Sequence, residues 1–128
     1  MSNQKKILLI DDHHPTNFYH RIILEEAFNN VEVITLSNPD DAMLYIAEHP
    51  MPDMIFCDLK MPPFSGWEFV DAYEEIYRYS ILKAPVMILS DNINDEDYTK
   101  AKEYQCVKGL YPKPLKIEYL SQCFAKAV

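Results

Sequence analysis

The sequence predicts an α/β domain with a parallel sheet and helices on both of its faces, and three observations carry this. Ile7 to Ile10, Met54 to Cys57 and Val86 to Leu89 are short runs without charge or amide, as expected of strands covered on both sides. Each run stops at a polar residue: Asp11, Asp58 and Ser90 in turn. Between the runs lie longer stretches whose apolar residues recur at helical spacing, so strands and helices alternate along a chain of 128 residues, a length suited to one domain.

Taken in order, Ile7 to Ile10 forms the first strand and gives way to Asp11 and Asp12. Pro15 suits the first turn of a helix, whose body carries Phe18, Tyr19, Ile22, Ile23, Ala27 and Phe28 at spacings of three, four and five until Asn29 and Asn30 end it. Val31 to Leu36 is interrupted by Glu32 and Thr35, which suits a strand nearer the sheet edge. Asn38 before Pro39, Asp40 and Asp41 is an N-terminal cap, both acids complementing the helix dipole. Ala42, Tyr45, Ile46 and His49 share a face of that second helix, and Pro50 closes it.

The third strand, ending in Asp58, is the centre of the pattern. Pro62 and Pro63 stiffen the segment after it by fixing φ and withholding two donors, and Gly66 permits a turn into a helix from 66 to about 79, marked by Trp67, Val70, Tyr73, Ile76 and Tyr77. After the fourth strand, the segment from Asn92 to Gln105 is helical by propensity. It can bury little beyond Tyr98, Ala101 and Tyr104, and should be the least firmly held helix. Val107 to Tyr111 is a fifth strand ending at Pro112, Lys113 and Pro114. Ile117, Leu120 and Phe124 carry the last helix.

Composition narrows the function. A formal charge of -8, from 12 Lys and Arg against 20 Asp and Glu, leaves no basic footprint for nucleic acid. Cys57, Cys106 and Cys123 are an odd set without C-x-x-C spacing and read as small buried hydrophobes in a reducing compartment. No stretch resembles a signal peptide or spans a bilayer, so a soluble cytoplasmic protein is expected. The single fold over 1–128 would be a stand-alone protein or the front of a longer one.

In a parallel sheet, ligands bind outside the carboxyl ends of the strands. Asp11, Asp12, Asp58, Ser90 and Lys113 all fall there, so four strands aim polar groups at one crevice. Close carboxylates repel by roughly 4 kcal/mol per pair at an effective dielectric near 20. A hard divalent cation with oxygen ligands offsets this, and Mg²⁺ is the usual one beside phosphate oxygens. Lys113 adds an ammonium, Ser90 a hydroxyl, and Asp58 an oxygen nucleophile able to form an aspartyl phosphate. His13 and His14 follow the acid pair, but adjacent side chains point apart and Mg²⁺ prefers oxygen.

In these residues the chain resembles the receiver domains of two-component response regulators. The Asp11–Asp12 pair, Asp58 with Met61, Pro62 and Gly66 in a D-x-x-M-P-x-x-x-G run, Ser90, and Lys113 with Pro114 recur in order and in register with the strands. The resemblance implies a three-layer (βα)5 flavodoxin-like sandwich with a parallel five-stranded sheet in the order 2-1-3-4-5. It implies that Asp58 accepts phosphoryl from a phosphohistidine on a sensor histidine kinase or histidine phosphotransfer protein. Asp12 and Asp58 would ligate Mg²⁺ directly, Asp11 would act through a bound water, the Lys60 backbone carbonyl would contribute, and Ser90 and Lys113 would bind phosphoryl oxygens. The chain would be no enzyme beyond its own phosphotransfer and dephosphorylation. It would signal or dimerise through its fourth helix, fifth strand and fifth helix, where Tyr98, Tyr104, Leu110, Tyr111 and Tyr119 suit a docking patch.

Four positions depart from the family pattern: Asp91 stands where a small residue is common, Leu110 where an aromatic switch residue is usual, Cys106 where Gly is frequent, and Lys60 lies two residues past the acceptor. Asp91 and Leu110 keep open a phosphorylation-independent interaction module. A flavin module would need a Ser/Thr/Gly-rich phosphate loop after the first strand, and a haloacid-dehalogenase-type phosphatase would need D-x-D there. The chain has acids at the first place and His13 at the second.

Overall fold

The sheet forms because its three central strands are apolar throughout and must be covered on both faces. In the computed structural model, which describes residues 4–127 but not the side chains of 124–127, it has five parallel strands. They are β1 (Lys5–Ile10), β2 (Val31–Leu36), β3 (Met54–Asp58), β4 (Val86–Ser90) and β5 (Val107–Pro112), in the order β2-β1-β3-β4-β5. This is the flavodoxin-like order that the resemblance implied. The Phe124 side chain and the chain ends 1–3 and 128 lie outside what is described.

Five helices connect and follow the strands: α1 (His14–Ala27), α2 (Pro39–Glu48), α3 (Gly66–Tyr77), α4 (Asp95–Ala101) and α5 (Ile117–Ala127). Alternate residues of each strand feed opposite cores. Leu8, Ile10, Ile55, Cys57, Val86 and Ile88 pack with Ala42 and Ile46 of α2 and Phe69, Val70 and Tyr73 of α3. On the other face Ile7, Leu9, Met54, Phe56, Met87 and Leu89 pack with Leu24 of α1 and Leu120 and Cys123 of α5. All three cysteines are buried and free.

Local signals place the helix starts. Pro15 lies in the first turn of α1, and the Asn38 side chain accepts the Asp41 amide at 2.8 Å. Asn94 and Asp97 form a reciprocal capping box at α4.

Three expectations need correction. The buried face of α1 is Asn17, His20 and Leu24, whereas Phe18 is 66% exposed and Tyr19 48%. The helix is turned by the polar groups it must supply beneath Asp11, which outweigh the burial of two aromatics. α3 stops at Tyr77, where the chain turns through Ser80 N–H to Tyr77 C=O. α4 is only seven residues long, because the chain after Ala101 tightens into short-range turns: the amides of Lys102, Glu103 and Tyr104 bond three residues back.

The stretch after Asp58 is more ordered than a stiff loop. Lys60–Met61 and Phe64–Ser65 pair as a separate antiparallel hairpin around the cis Pro62–Pro63 peptide. Gly66 is required by proximity and not by turn geometry, since its φ is not positive. A Cβ there would lie 2.1 Å from the Asp58 carbonyl oxygen.

Candidate functional site

Strand order reverses between β1 and β3, so their C-termini flank a crevice. Asp11 follows β1, its amide donating to the Leu36 carbonyl at 3.0 Å. Asp58 closes β3, paired in register with Leu89 of β4. Carboxylate oxygens of Asp11, Asp12 and Asp58 all lie within 4.8 Å of one another. Asp11 and Asp58 are buried and Asp12 is exposed.

Lys113 reaches in from the turn after β5. Its Nζ lies 2.7 Å from Asp11 Oδ2 and 3.0 Å from Asp58 Oδ1. The sheet edge sets this reach, because Ser90 pairs with Pro112 and the Lys113 amide donates to the Ser90 carbonyl at 3.0 Å. Ser90 is buried at the end of β4, and its hydroxyl lies 3.4 Å from both the amide and the carbonyl of Asn92. The four sequence-predicted strand ends therefore converge.

The electrostatics follow from burial and charge count. Burial pushes the Asp58 carboxyl above its ordinary value and the Asp11 charge adds to this, while Lys113 and a backbone hydrogen bond from Lys60 oppose it. Burial alone would lower the Lys113 ammonium, but the hydrogen bonds and charges of Asp11 and Asp58 raise it. Lys113 thus stays protonated, one positive group facing three carboxylates. Cys57, next to the acceptor, is no rival nucleophile. Burial, followed by the charges of Asp58 and Asp11, raises its thiol well above its usual range.

The donor set fits a hard divalent cation: it is all oxygen, two of its carboxylates are buried, and one lysine leaves negative charge uncompensated. The histidines do not join it. His13 Nδ1 faces Thr16, 2.6 Å from its hydroxyl and 3.3 Å from its amide, as the cap of α1.

Beside the acids a cavity of about 320 Å³ is lined by His13, Thr16, Tyr19, His20, Asp91 and Lys113, among others. Two of the site's supporting residues are ones that the sequence reading missed. Asn17 Nδ2 donates to the Asp11 carbonyl at 2.8 Å, and His20 Nε2 accepts the Leu115 amide at 3.0 Å. Their spacing with Leu24, three and then four residues, was the available signal. The anticipated docking patch is mixed: Tyr98 is 51% exposed, Tyr104, Leu110 and Tyr119 are half-buried, and Tyr111 is buried in the core.

A doubly wound domain with an acidic crevice at its switch point, bridged by a half-buried lysine, belongs to the α/β proteins whose ligand sites lie at the carboxyl edge of the sheet. Comparison makes the class specific. The chain belongs to the response regulator receiver domain family, whose model matches residues 7–125.

Stress response regulator protein 1 of Meyerozyma guilliermondii is 24% identical over 117 residues, which are 91% of this chain and 52% of that protein. The chain thus spans about half the length of this relative. A two-component response regulator from Cytophaga hutchinsonii superposes with a TM-score of 0.88 at 26% identity, over 96% of each chain. The chemotaxis response regulator CheY4 of Vibrio cholerae gives 0.79 at 24% identity, over 98% of this chain and 100% of that one, and shares the fold. No helix among the described residues is long and apolar enough to cross a membrane.

Proposed function

We propose that the chain is a phosphoacceptor receiver, taking a phosphoryl group on Asp58 from a phosphohistidine of a sensor histidine kinase or histidine phosphotransfer protein. The observation that carries this is Lys113 Nζ within 3.0 Å of Asp58, inside a trio of carboxylates that needs further positive charge. An Asp58 carboxylate oxygen attacks phosphorus and the phosphorus–nitrogen bond breaks. The leaving imidazole keeps the electron pair and takes up a proton. Hydrolysis reverses the state when water attacks phosphorus and releases inorganic phosphate, so the chain modifies itself without turning over a substrate.

Lys113 is already held where charge develops on the transferring oxygens, at no reorganisation cost, and Ser90 can turn its hydroxyl from Asn92 to a phosphoryl oxygen. Asp11, Asp12, Asp58 and the Lys60 backbone carbonyl would hold Mg²⁺, which when bound supplies positive charge beside the phosphoryl oxygens. The phosphorylated state draws the loops after β4 and β5 inward and biases α4. The output is read on the face of α4, β5 and α5 by a partner protein or a second copy. A near-complete switch needs roughly 5.5 kcal/mol of differential interaction, within reach of two charge-assisted contacts plus repacking.

Asp91 favours a second reading. Its carboxylate lines the cavity beside Lys113, where it repels an incoming phosphoryl donor, as in a phosphorylation-independent interaction module. Incubation with Mg²⁺ and acetyl phosphate or a cognate kinase, followed by intact mass, should add one phosphoryl group that Asp58→Ala abolishes. Label surviving that substitution would defeat the assignment. Failure of beryllofluoride to bind or to alter α4 would favour the second reading.

A further inference from the structure

Buried polar groups without a part in phosphoryl transfer are few among the described residues, and His20 stands out. It is 2% exposed, lies on the inner face of α1, and spends its Nε2 lone pair on one bond, to the Leu115 amide at 3.0 Å. Accepting at Nε2 puts the ring proton on Nδ1. Leu115 is fully buried, so its N–H has no water to turn to. Burial holds His20 neutral, its imidazole lowered to about 4, so the acceptor persists across the ordinary pH range.

The position of that bond gives it meaning. Two residues upstream, the Lys113 amide is tied to the Ser90 carbonyl at 3.0 Å. The turn that carries Lys113 is therefore fastened on both sides, to β4 before the lysine side chain and to α1 after it. Between these points the ammonium bridges Asp11 at 2.7 Å and Asp58 at 3.0 Å. A second side chain on the same face, Asn17, holds the Asp11 backbone from below. The inner face of α1 thus grips both halves of the bridge, the acid through Asn17 and the lysine turn through His20.

We infer that His20 is a positioning residue for Lys113, fixing the turn after β5 so that the ammonium stands ready at Asp58. The inference rests on the phosphoacceptor reading for its consequence, and on the hydrogen bond alone for its geometry. No chemical step passes through His20.

The test compares His20→Leu and His20→Met, which fill the space without a strong acceptor, with His20→Gln, whose amide oxygen keeps one at similar reach. Two quantities are read on the full chain. The first is exchange of the Leu115 amide measured against that of Phe56 in β3, which normalises for global stability. The second is the rate of phosphoryl uptake from phosphoramidate at saturating Mg²⁺, followed by intact mass.

Loss of the acceptor should speed Leu115 exchange by about tenfold relative to Phe56. It should also slow uptake by about tenfold, with the Mg²⁺ affinity kept within about twofold. His20→Gln should restore both quantities. Wild-type uptake in the Leu and Met variants, or a folded Gln variant as slow as they are, would overturn the inference. Should neither apolar variant fold, His20→Gln decides: Leu115 exchange near the wild-type ratio supports the bracket, and faster exchange refutes it. If the wild-type chain takes up no phosphoryl group, the phosphoacceptor reading fails, while the exchange measurement still tests the His20 bond independently.

Discussion

Removing the Glu74 carboxylate should destabilise the chain more than any other single polar truncation on α3. Glu74 is 5% exposed although it lies on a helix rich in acids. Its two oxygens accept the Gln105 amide and the Cys106 amide, each at 3.0 Å, which ties α3 to the turn leading into β5. Arg78 at 3.5 Å is 44% exposed and adds little. Hydrogen bonds to a charged acceptor contribute about 1.5–3 kcal/mol each, and Cys106 is fully buried. Glu74→Ala should therefore cost about 3 kcal/mol, and Glu74→Gln, which keeps one acceptor but turns an NH2 toward the other amide, about half as much. For a chain of this length each kcal/mol lowers the melting temperature by roughly 4 °C, so the alanine variant should melt about 12 °C lower.

The pH dependence gives a further check. Burial by itself would raise the Glu74 carboxyl, but the Gln105 and Cys106 amides outweigh it and hold it below its ordinary value. A carboxyl depressed in the folded state stabilises above the unfolded carboxylate range, and that contribution is lost as pH falls through the folded value. Urea denaturation at several pH values should show the gap between wild type and Glu74→Gln closing in acid. An alanine variant within about 0.5 kcal/mol of wild type, with Cys106 exchange unchanged, would refute the reasoning.

Substitutions at three other positions have defined outcomes. In metal-free buffer Asp58→Asn should stabilise the chain at neutral pH by on the order of 1 kcal/mol, because burial and then the Asp11 charge raise the Asp58 carboxyl in the fold. A raised carboxyl favours the fold while protonated and loses that advantage as pH rises through its folded value, so the gain should vanish in acid, as urea midpoints would reveal. Gly66→Ala should cost about 2 kcal/mol or more and slow phosphoryl uptake, since its Cβ would meet the Asp58 carbonyl oxygen at 2.1 Å, a backbone atom unable to step aside. Tyr104 stacks on Trp67 at 5.8 Å and donates its hydroxyl to Asp71. Tyr104→Phe should cost under about 1 kcal/mol and leave Trp67 fluorescence unchanged, whereas Tyr104→Ala should shift the emission.

Much of the site was legible because a parallel sheet converts sequence into position. A strand buried on both faces must be apolar from end to end, so the residue where the run stops marks the strand terminus, and parallel strands bring all such termini to one edge. Asp11, Asp58, Ser90 and Lys113 could be placed together for this reason, before any distance was known. The capped start of α2 at Asn38 was equally local, since a side chain accepting an amide three residues on needs nothing from the rest of the chain.

Tertiary structure decided what local pattern leaves ambiguous. α1 has apolar residues on more than one face, and periodicity favoured Phe18 and Tyr19, whereas Asn17 and His20 turn inward because the Asp11 carbonyl and the Leu115 amide need partners there. α4 ended after seven residues because the turn beyond it is held by Glu74, 32 positions from Cys106. Gly66 is glycine because the hairpin folds it back against the end of β3, a constraint invisible in its own dihedral angles. Hydrophobic periodicity reports how much of an element is buried. Which buried polar atom meets which is settled only when segments far apart in the chain come into contact.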